Sequence, residues 1–270
     1  MKPAPFTLLR ARTCDEASEF LQRAAGSAKV IAGGQSLGPM LNLRLSRPDV
    51  LIDISGITAL TEARDEDDSV VFGACITHAA IEDGRVPDPT NGFMQRVARG
   101  IAYRAVRNRG TIAGSVVHAD PSADWLTTLT ALGAVVEIVG VGGARSVALI
   151  NFVIMPFTVD LREGEFVTGI RVRKRAADTR YGYFKFCRKA GEFASAMASV
   201  VVDTTSACGV IGATGSKPYV VAETSRFLPV SPATLADAAQ HVQELAIADD
   251  PAADRANAAA FGRALKQVTK

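Results

Sequence analysis

The chain has 270 residues, 48% of them hydrophobic, which suffices for a substantial core in one large domain or two smaller ones. Its 30 Lys and Arg against 28 Asp and Glu leave a net charge of +2 without any basic block, so nothing points to a nucleic-acid or anionic-membrane partner. The cysteines, Cys14, Cys75, Cys187 and Cys208, form no CxxC pair and lack zinc or iron–sulfur spacing, and they are expected to be buried thiols in a reducing, cytoplasmic compartment.

The N-terminal run MKPAPFTLLRARTCDE lacks the apolar core of a signal peptide or membrane span. FTLLRA reads as a strand, and TCDEASEFLQRAAG as a helix with Thr13 as N-cap, Glu16 three positions on, and Ala17, Phe20, Leu21 and Ala24 on one face. KVIAG and VLIDIS are further short strands, giving a βαββ-type unit, with GPMLNLRL between them able to open a helix. SVVFGACIT is a predicted strand, FMQRVARGIAY and WLTTLTALGA predicted helices, and AVVEIVGVGGARSVALI two strands joined by a glycine-rich hairpin turn. The strands YGYFKFCRK, ASAMASVVVD and ACGVIGATG follow, then a helix from Ser231 and Pro232 through PATLADAAQHVQELA, and a last helix through DRANAAAFGRALKQVT. Three units are expected: 1–56, 57–174 and 175–270.

Two segments share a composition: AGGQSL, Ala32 to Leu37, and TIAGS, Thr111 to Ser115. Glycine permits positive φ and close approach, so consecutive amide groups can converge on an anion such as a pyrophosphate. Neither segment has GxGxxG spacing or a Lys-Ser/Thr ending, and a tight turn remains the competing reading of each. GVGGAR, 140–145, is followed by a β-like segment instead of a helix and reads as a hairpin turn. His118, Asp120 and Asp124 could suggest a metal site, but a lone HxD is weak; Asp124 suits a ribose hydroxyl better. Lys185, between Phe184 and Phe186, is either a solvated strand residue or a cation beside a cofactor ring. No GxSxG elbow or Ser/His/Asp order supports hydrolysis, and no catalytic residue or metal ligand is assigned in this chain.

The pairing of AGGQSLGPMLNLRLSRPDVLIDIS with AVRNRGTIAGSVVHADPSADW, followed by FKFCRKAGEFA, resembles the FAD-binding medium subunit of molybdenum hydroxylases, the carbon monoxide dehydrogenase and xanthine dehydrogenase family, over nearly the whole chain. The resemblance implies an α+β chain with a two-subdomain FAD-binding fold of the vanillyl-alcohol-oxidase type, then a small C-terminal domain with an antiparallel sheet and helices. It implies that Ala32, Gly33, Gly34, Gln35, Ser36 and Leu37, with Gly110, Thr111, Ala113, Gly114 and Ser115, hold the pyrophosphate, and that Asp124 binds ribose. Ile101, Ala102, Val106, Val117 and Ala123 would line the cleft, with Lys185 and Tyr183 beside the isoalloxazine. Relatives often carry histidine in place of Gln35 and glycine in place of Ala113.

By the same resemblance, substrate is hydroxylated at a molybdenum-pterin centre in a large subunit and electrons pass through [2Fe-2S] clusters of a small subunit to FAD. With no cluster-binding cysteine pattern, this chain would be one component of a heteromeric enzyme, expected as a dimer of heterotrimers, that delivers electrons to an external acceptor. A self-contained FAD-dependent oxidase and a non-catalytic assembly subunit are the alternative readings.

Overall fold

The structure is a computed structural model describing residues 2–248 and 250–269; Met1, Asp249 and Lys270, which the expected terminal units include, lie outside the described residues. The first lobe runs β1 (Thr7–Arg10), α1 (Cys14–Arg23), β2 (Ala28–Ile31), α2 (Leu37–Asn42) and β3 (Val50–Asp53). Strand β3 lies between β1 and β2 and is parallel to both, with Val50 opposite Thr7 on one side and Ala28 on the other. Parallel neighbours need a crossover, so the expected βαββ unit is instead βαβαβ, with GPMLNLRL supplying α2. Thr13 caps α1 by accepting the Glu16 amide at 3.1 Å, and the Glu16 carboxylate reaches back to the Arg12 amide at 2.7 Å.

The second lobe is built on a five-stranded antiparallel sheet. In chain order come α3 (Thr58–Thr61), β4 (Ala63–Asp65), β5 (Ser69–Gly73), α4 (His78–Glu82), α5 (Phe93–Arg99), α6 (Arg104–Arg107), α7 (Ile112–His118) and α8 (Asp124–Ala131). They are followed by β6 (Val135–Gly140), β7 (Gly143–Ala148), α9 (Leu149–Phe152), β8 (Val153–Met155), β9 (Thr158–Val159) and β10 (Phe166–Arg173). The sheet order is β4-β5-β10-β6-β7, and Gly140 faces Gly143 across a two-residue turn, so the GVGGAR run is a hairpin. The predicted helix FMQRVARGIAY stops at Arg99, because Gly100 caps it and Ala102 turns to φ +44°. Every residue of α8 is buried, and the helix packs on the middle lobe on one side and the C-terminal sheet on the other.

The third part is an antiparallel sheet, β11 (Arg180–Phe186), β12 (Ala196–Val202), β13 (Ala207–Gly212) and β14 (Tyr219–Val221), covered by α10 (Pro232–Glu244) and α11 (Pro251–Gln267). Ser231 accepts the Thr234 amide at 3.1 Å while Thr234 accepts the Ser231 amide at 2.8 Å, a reciprocal cap with Pro232 in the first turn. Strand alternation divides YGYFKF: Phe184 joins the core beneath α10 and α11, whereas Tyr181 and Tyr183 pack against the core of the first two lobes. Gly182 lies directly under α11, where a Cβ would fall 1.9 Å from the Ala264 carbonyl oxygen. Gly182→Ala should therefore destabilise the fold by about 2 kcal/mol through overpacking, read as a lower urea midpoint at constant slope.

Candidate functional site

AGGQSL leaves the carboxyl end of β2 and turns into α2. Gly33 lies against the backbone of the second lobe, so closely that a Cβ would sit 1.9 Å from the Arg109 carbonyl oxygen and 3.1 Å from the Gly110 Cα. Gly34 takes φ +69°, the left-handed region glycine enters without cost. The Gln35 side chain folds back and donates to the Gly33 carbonyl at 3.3 Å. Among the described residues, the amides of Gly33, Gly34, Gln35 and Ser36 find no acceptor in the protein. Gly33, Gly34 and Gln35 are half-buried and Ser36 is exposed, so four successive amides are free to donate to an oxyanion.

TIAGS is the first turn of α7, where its composition alone suggests a tight turn. Thr111 is its N-cap, with extended backbone and a hydroxyl that accepts the Gly114 amide at 3.1 Å. Ala113 is helical and buried, so its Cβ imposes no strain. Segment 76–78 pairs with this turn: Ile112 donates to the Ile76 carbonyl at 3.0 Å, and His78 to the Gly110 carbonyl at 2.9 Å. Ser115 and Val117 follow on α7, half-buried, and buried Ala123 caps α8. Between the lobes opens a cleft of about 390 Å³ whose walls include Ala32, Gly33 and Thr111 together with Arg85, Asn108 and Arg109. The last three escape a sequence reading, although Asn108 and Arg109 stand in the RNRG run immediately before the motif.

Asp124, the first residue of α8, is 4% exposed. Lys185 Nζ lies 3.0 and 3.1 Å from its two carboxylate oxygens, and the Tyr183 hydroxyl donates to one of them at 2.5 Å. Both partners come from β11, so the cluster ties the C-terminal sheet to the middle lobe. Burial pushes the Asp124 carboxyl above its ordinary range against the pull of Lys185, and burial with the neighbouring carboxylate raises the Tyr183 phenol well above its own. The carboxylate expected to meet a ribose thus already faces a lysine and a tyrosine.

Lys185 also donates to the Gly100 carbonyl at 3.3 Å, at the start of the segment Gly100–Ala102. The next two carbonyls, of Ile101 and Ala102, accept from Arg107. Val106, half-buried on α6, accepts the Gly110 amide at 2.7 Å and so sets the entry to the second motif. The residues that resemblance assigns to one cleft therefore fall into two groups in space: the glycine segments at the junction of the first two lobes, and the 100–102, Asp124, Tyr183 and Lys185 cluster where the second lobe meets the third. Neither Arg107 nor its partner Glu82 is marked by spacing, since they stand 25 residues apart. Among the described residues no group of three or more His, Cys, Asp or Glu could hold a metal; His118 packs on Phe157 with ring centroids 5.3 Å apart, and Asp120 accepts the Ser122 amide.

A family model described as the FAD binding domain in molybdopterin dehydrogenase matches residues 4–173, and the chain belongs to that family. It is an FAD-binding medium subunit, the flavin component of a heteromeric molybdenum-containing oxidoreductase. It is 33% identical over 202 residues to the 6-hydroxypseudooxynicotine dehydrogenase complex subunit alpha of Paenarthrobacter nicotinovorans, covering 75% of this chain and 68% of that one. It is 34% identical over 202 residues to the carbon monoxide dehydrogenase medium chain of Hydrogenophaga pseudoflava, covering 75% and 70%. A solved carbon monoxide dehydrogenase from Hydrogenophaga pseudoflava superposes with a TM-score of 0.91 at 27% identity, covering 99% of this chain and 98% of that one. Quinoline 2-oxidoreductase from Pseudomonas putida 86 gives 0.90 at 26% identity, covering 100% and 98%. A medium chain implies large and small partner subunits, and among the described residues no helix is long and apolar enough to cross a membrane.

His78 supplies a pH-dependent test of this junction. The Trp125 indole donates to His78 Nδ1 at 3.0 Å, so the proton of the neutral ring sits on Nε2, and burial, then the charge of Arg107, lowers its pKa from 6.5 to about 4. Between these values the unfolded chain binds a proton that the native chain refuses. Stability should be fully present above pH 6.5 and decline by about 1.4 kcal/mol per pH unit down to about pH 4. Urea unfolding across this range should show the slope, and His78→Gln should flatten it while retaining an acceptor for Trp125.

Proposed function

We propose that FAD spans the junctions of the three parts, its pyrophosphate on the amides of Gly33, Gly34, Gln35 and Ser36 and on the first turn of α7 from Gly110 through Thr111, Ala113 and Gly114 to Ser115. The single observation that carries this reading is the run of four partnerless amides beside a helix N-terminus. Arg85 and Arg109 add positive charge to the same cleft. Ala32 and Leu37 flank the cradle, and Ile101, Ala102, Val106, Val117 and Ala123 line the rest of the FAD cleft toward Lys185. Residues 1–56 and 57–174 act as the two FAD-binding subdomains and 175–270 as the C-terminal domain.

Lys185 and Tyr183 stand beside the isoalloxazine in this reading, with Asp124 orienting both; a ribose hydroxyl would compete with them for the same oxygens. Bound FAD would supply the redox chemistry, taking electrons from the iron–sulfur clusters of a small subunit and passing them to an external acceptor. The chain's own residues hold the dinucleotide, and Lys185 provides a positive charge near the ring. The large subunit would carry the molybdenum-pterin centre, with two heterotrimers pairing in the cytoplasm. Relatives named for a nicotine derivative, carbon monoxide and quinoline share this fold, which supports placing substrate choice in a partner chain.

The purified full chain incubated with FAD should retain flavin absorption bands through gel filtration. Lys185→Met should keep flavin but shift its midpoint potential more negative by about 30 mV, the two-electron equivalent of ~1.4 kcal/mol, because the positive charge that would favour the reduced ring is lost. A potential equal to wild type would remove Lys185 from the ring's surroundings, and a chain that takes up no FAD would overturn the proposal.

A further inference from the structure

The segment between α5 and α6 presents three successive carbonyls, and each accepts from a buried or half-buried cation. Gly100 receives Lys185 at 3.3 Å, and Ile101 and Ala102 receive one nitrogen of Arg107 at 2.9 and 2.8 Å. The remaining Arg107 donors reach both oxygens of Glu82 at 2.7 and 3.1 Å, so the guanidinium is a rigid fork with a carboxylate on one edge and the strap on the other. Both side chains of this pair are only 11% exposed. Arg104 then bridges Glu82 at 2.9 Å and Asp83 at 2.6 Å, fixing the carboxylate from the solvent side.

The strap is held in a conformation it would not choose. Ala102 takes φ +44°, unfavourable for a residue with a Cβ, and such backbone persists only where its surroundings over-determine it. Gly191, in the segment following β11, closes on the Ala102 carbonyl so tightly that a Cβ would lie 2.8 Å from its oxygen. One end of the strap therefore carries the third partner of Lys185, and the other leads through α6 to Gly110 and α7.

We infer that Arg107, oriented by Glu82, is a positioning residue of the flavin site: it fixes the Gly100–Ala102 strap and through it the relative placement of Lys185 and the Gly110–Ser115 turn. This rests on the reading that FAD occupies those residues. A lysine at 107 could reach one carbonyl but could not span the carboxylate and two carbonyls at once.

The test titrates FAD into the full-length chain and follows both affinity and the fluorescence and visible circular dichroism of the saturated complex. Arg107→Gln and the near-isosteric Glu82→Gln should each weaken binding about tenfold and alter the saturated spectrum, and Arg107→Lys should recover only part of both. Because Arg107→Gln leaves the buried Glu82 carboxylate with Arg104 as its remaining cation and could impair folding, Glu82→Gln, which retains hydrogen bonding to Arg107, decides the matter in that case. Wild-type binding with variants of unchanged affinity and spectrum would overturn the inference alone. So would weakening that follows a fall in thermal midpoint while the saturated spectrum stays wild type, since that is structural support only. A wild-type chain that binds no FAD would instead remove the underlying reading.

Discussion

The arrangement depends on one backbone contact. Gly33 of the first lobe meets the Arg109 carbonyl of the second at a distance that leaves no room for a Cβ. Because packed backbones cannot interpenetrate, every larger residue would drive the lobes apart. That closeness brings the partnerless amides of residues 33–36 beside the capped turn of α7. Gly34 serves differently, turning the chain at φ +69° so that those amides are followed at once by α2. The paired glycines are explained first by lobe contact and turn geometry, and the anion cradle proposed above would be a consequence of both.

A second constraint acts where the middle lobe meets the C-terminal sheet. Helix α8 is buried along its whole length, yet it begins with a carboxylate, favourably placed at a helix N-terminus and neutralised by Lys185. A buried ion pair is a poor source of net stability, since desolvation offsets much of the attraction, but breaking one side of it costs about 3–5 kcal/mol. The pair therefore acts as a latch of defined geometry more than as a glue. The Arg107–Glu82 pair repeats the device one strap away, and between them the two pairs fix three consecutive carbonyls.

Much of this was legible in the chain itself. The caps at Thr13 and Ser231, the hairpin at 140–143 and the strand at YGYFKF are local rules, and local rules survive tertiary packing. The small residues of TIAGS suggest a tight turn; its helical start follows from the Thr111 cap and from pairing with segment 76–78, which is distant in sequence. The end of the helix at Arg99 was hidden for the same reason, since the left-handed Ala102 is bonded at its carbonyl by the Arg107 side chain and packs closely against Gly191, which is distant in sequence. Arg85, Glu82 and Arg107 carried no motif at all: Glu82 and Arg107 meet across α4 and α6, Arg85 lines the cleft from the turn after α4, and spacing along the chain says nothing about either.

The two departures from the family pattern have unequal weight. Ala113 stands where the resemblance leads one to expect glycine, but its helical backbone and buried Cβ make the extra methyl part of the core, so the change leaves the geometry of the turn intact. Gln35 is different. Its amide bonds back to the Gly33 carbonyl, which restrains the loop and keeps that carbonyl from turning toward an approaching anion. A histidine in its place could add a positive charge; glutamine cannot. For the proposed FAD pyrophosphate, charge compensation would come from the amides, the α7 terminus and Arg109, which shares the cleft wall with Gly33, with Arg85 already paired to Asp83 at 3.3 Å.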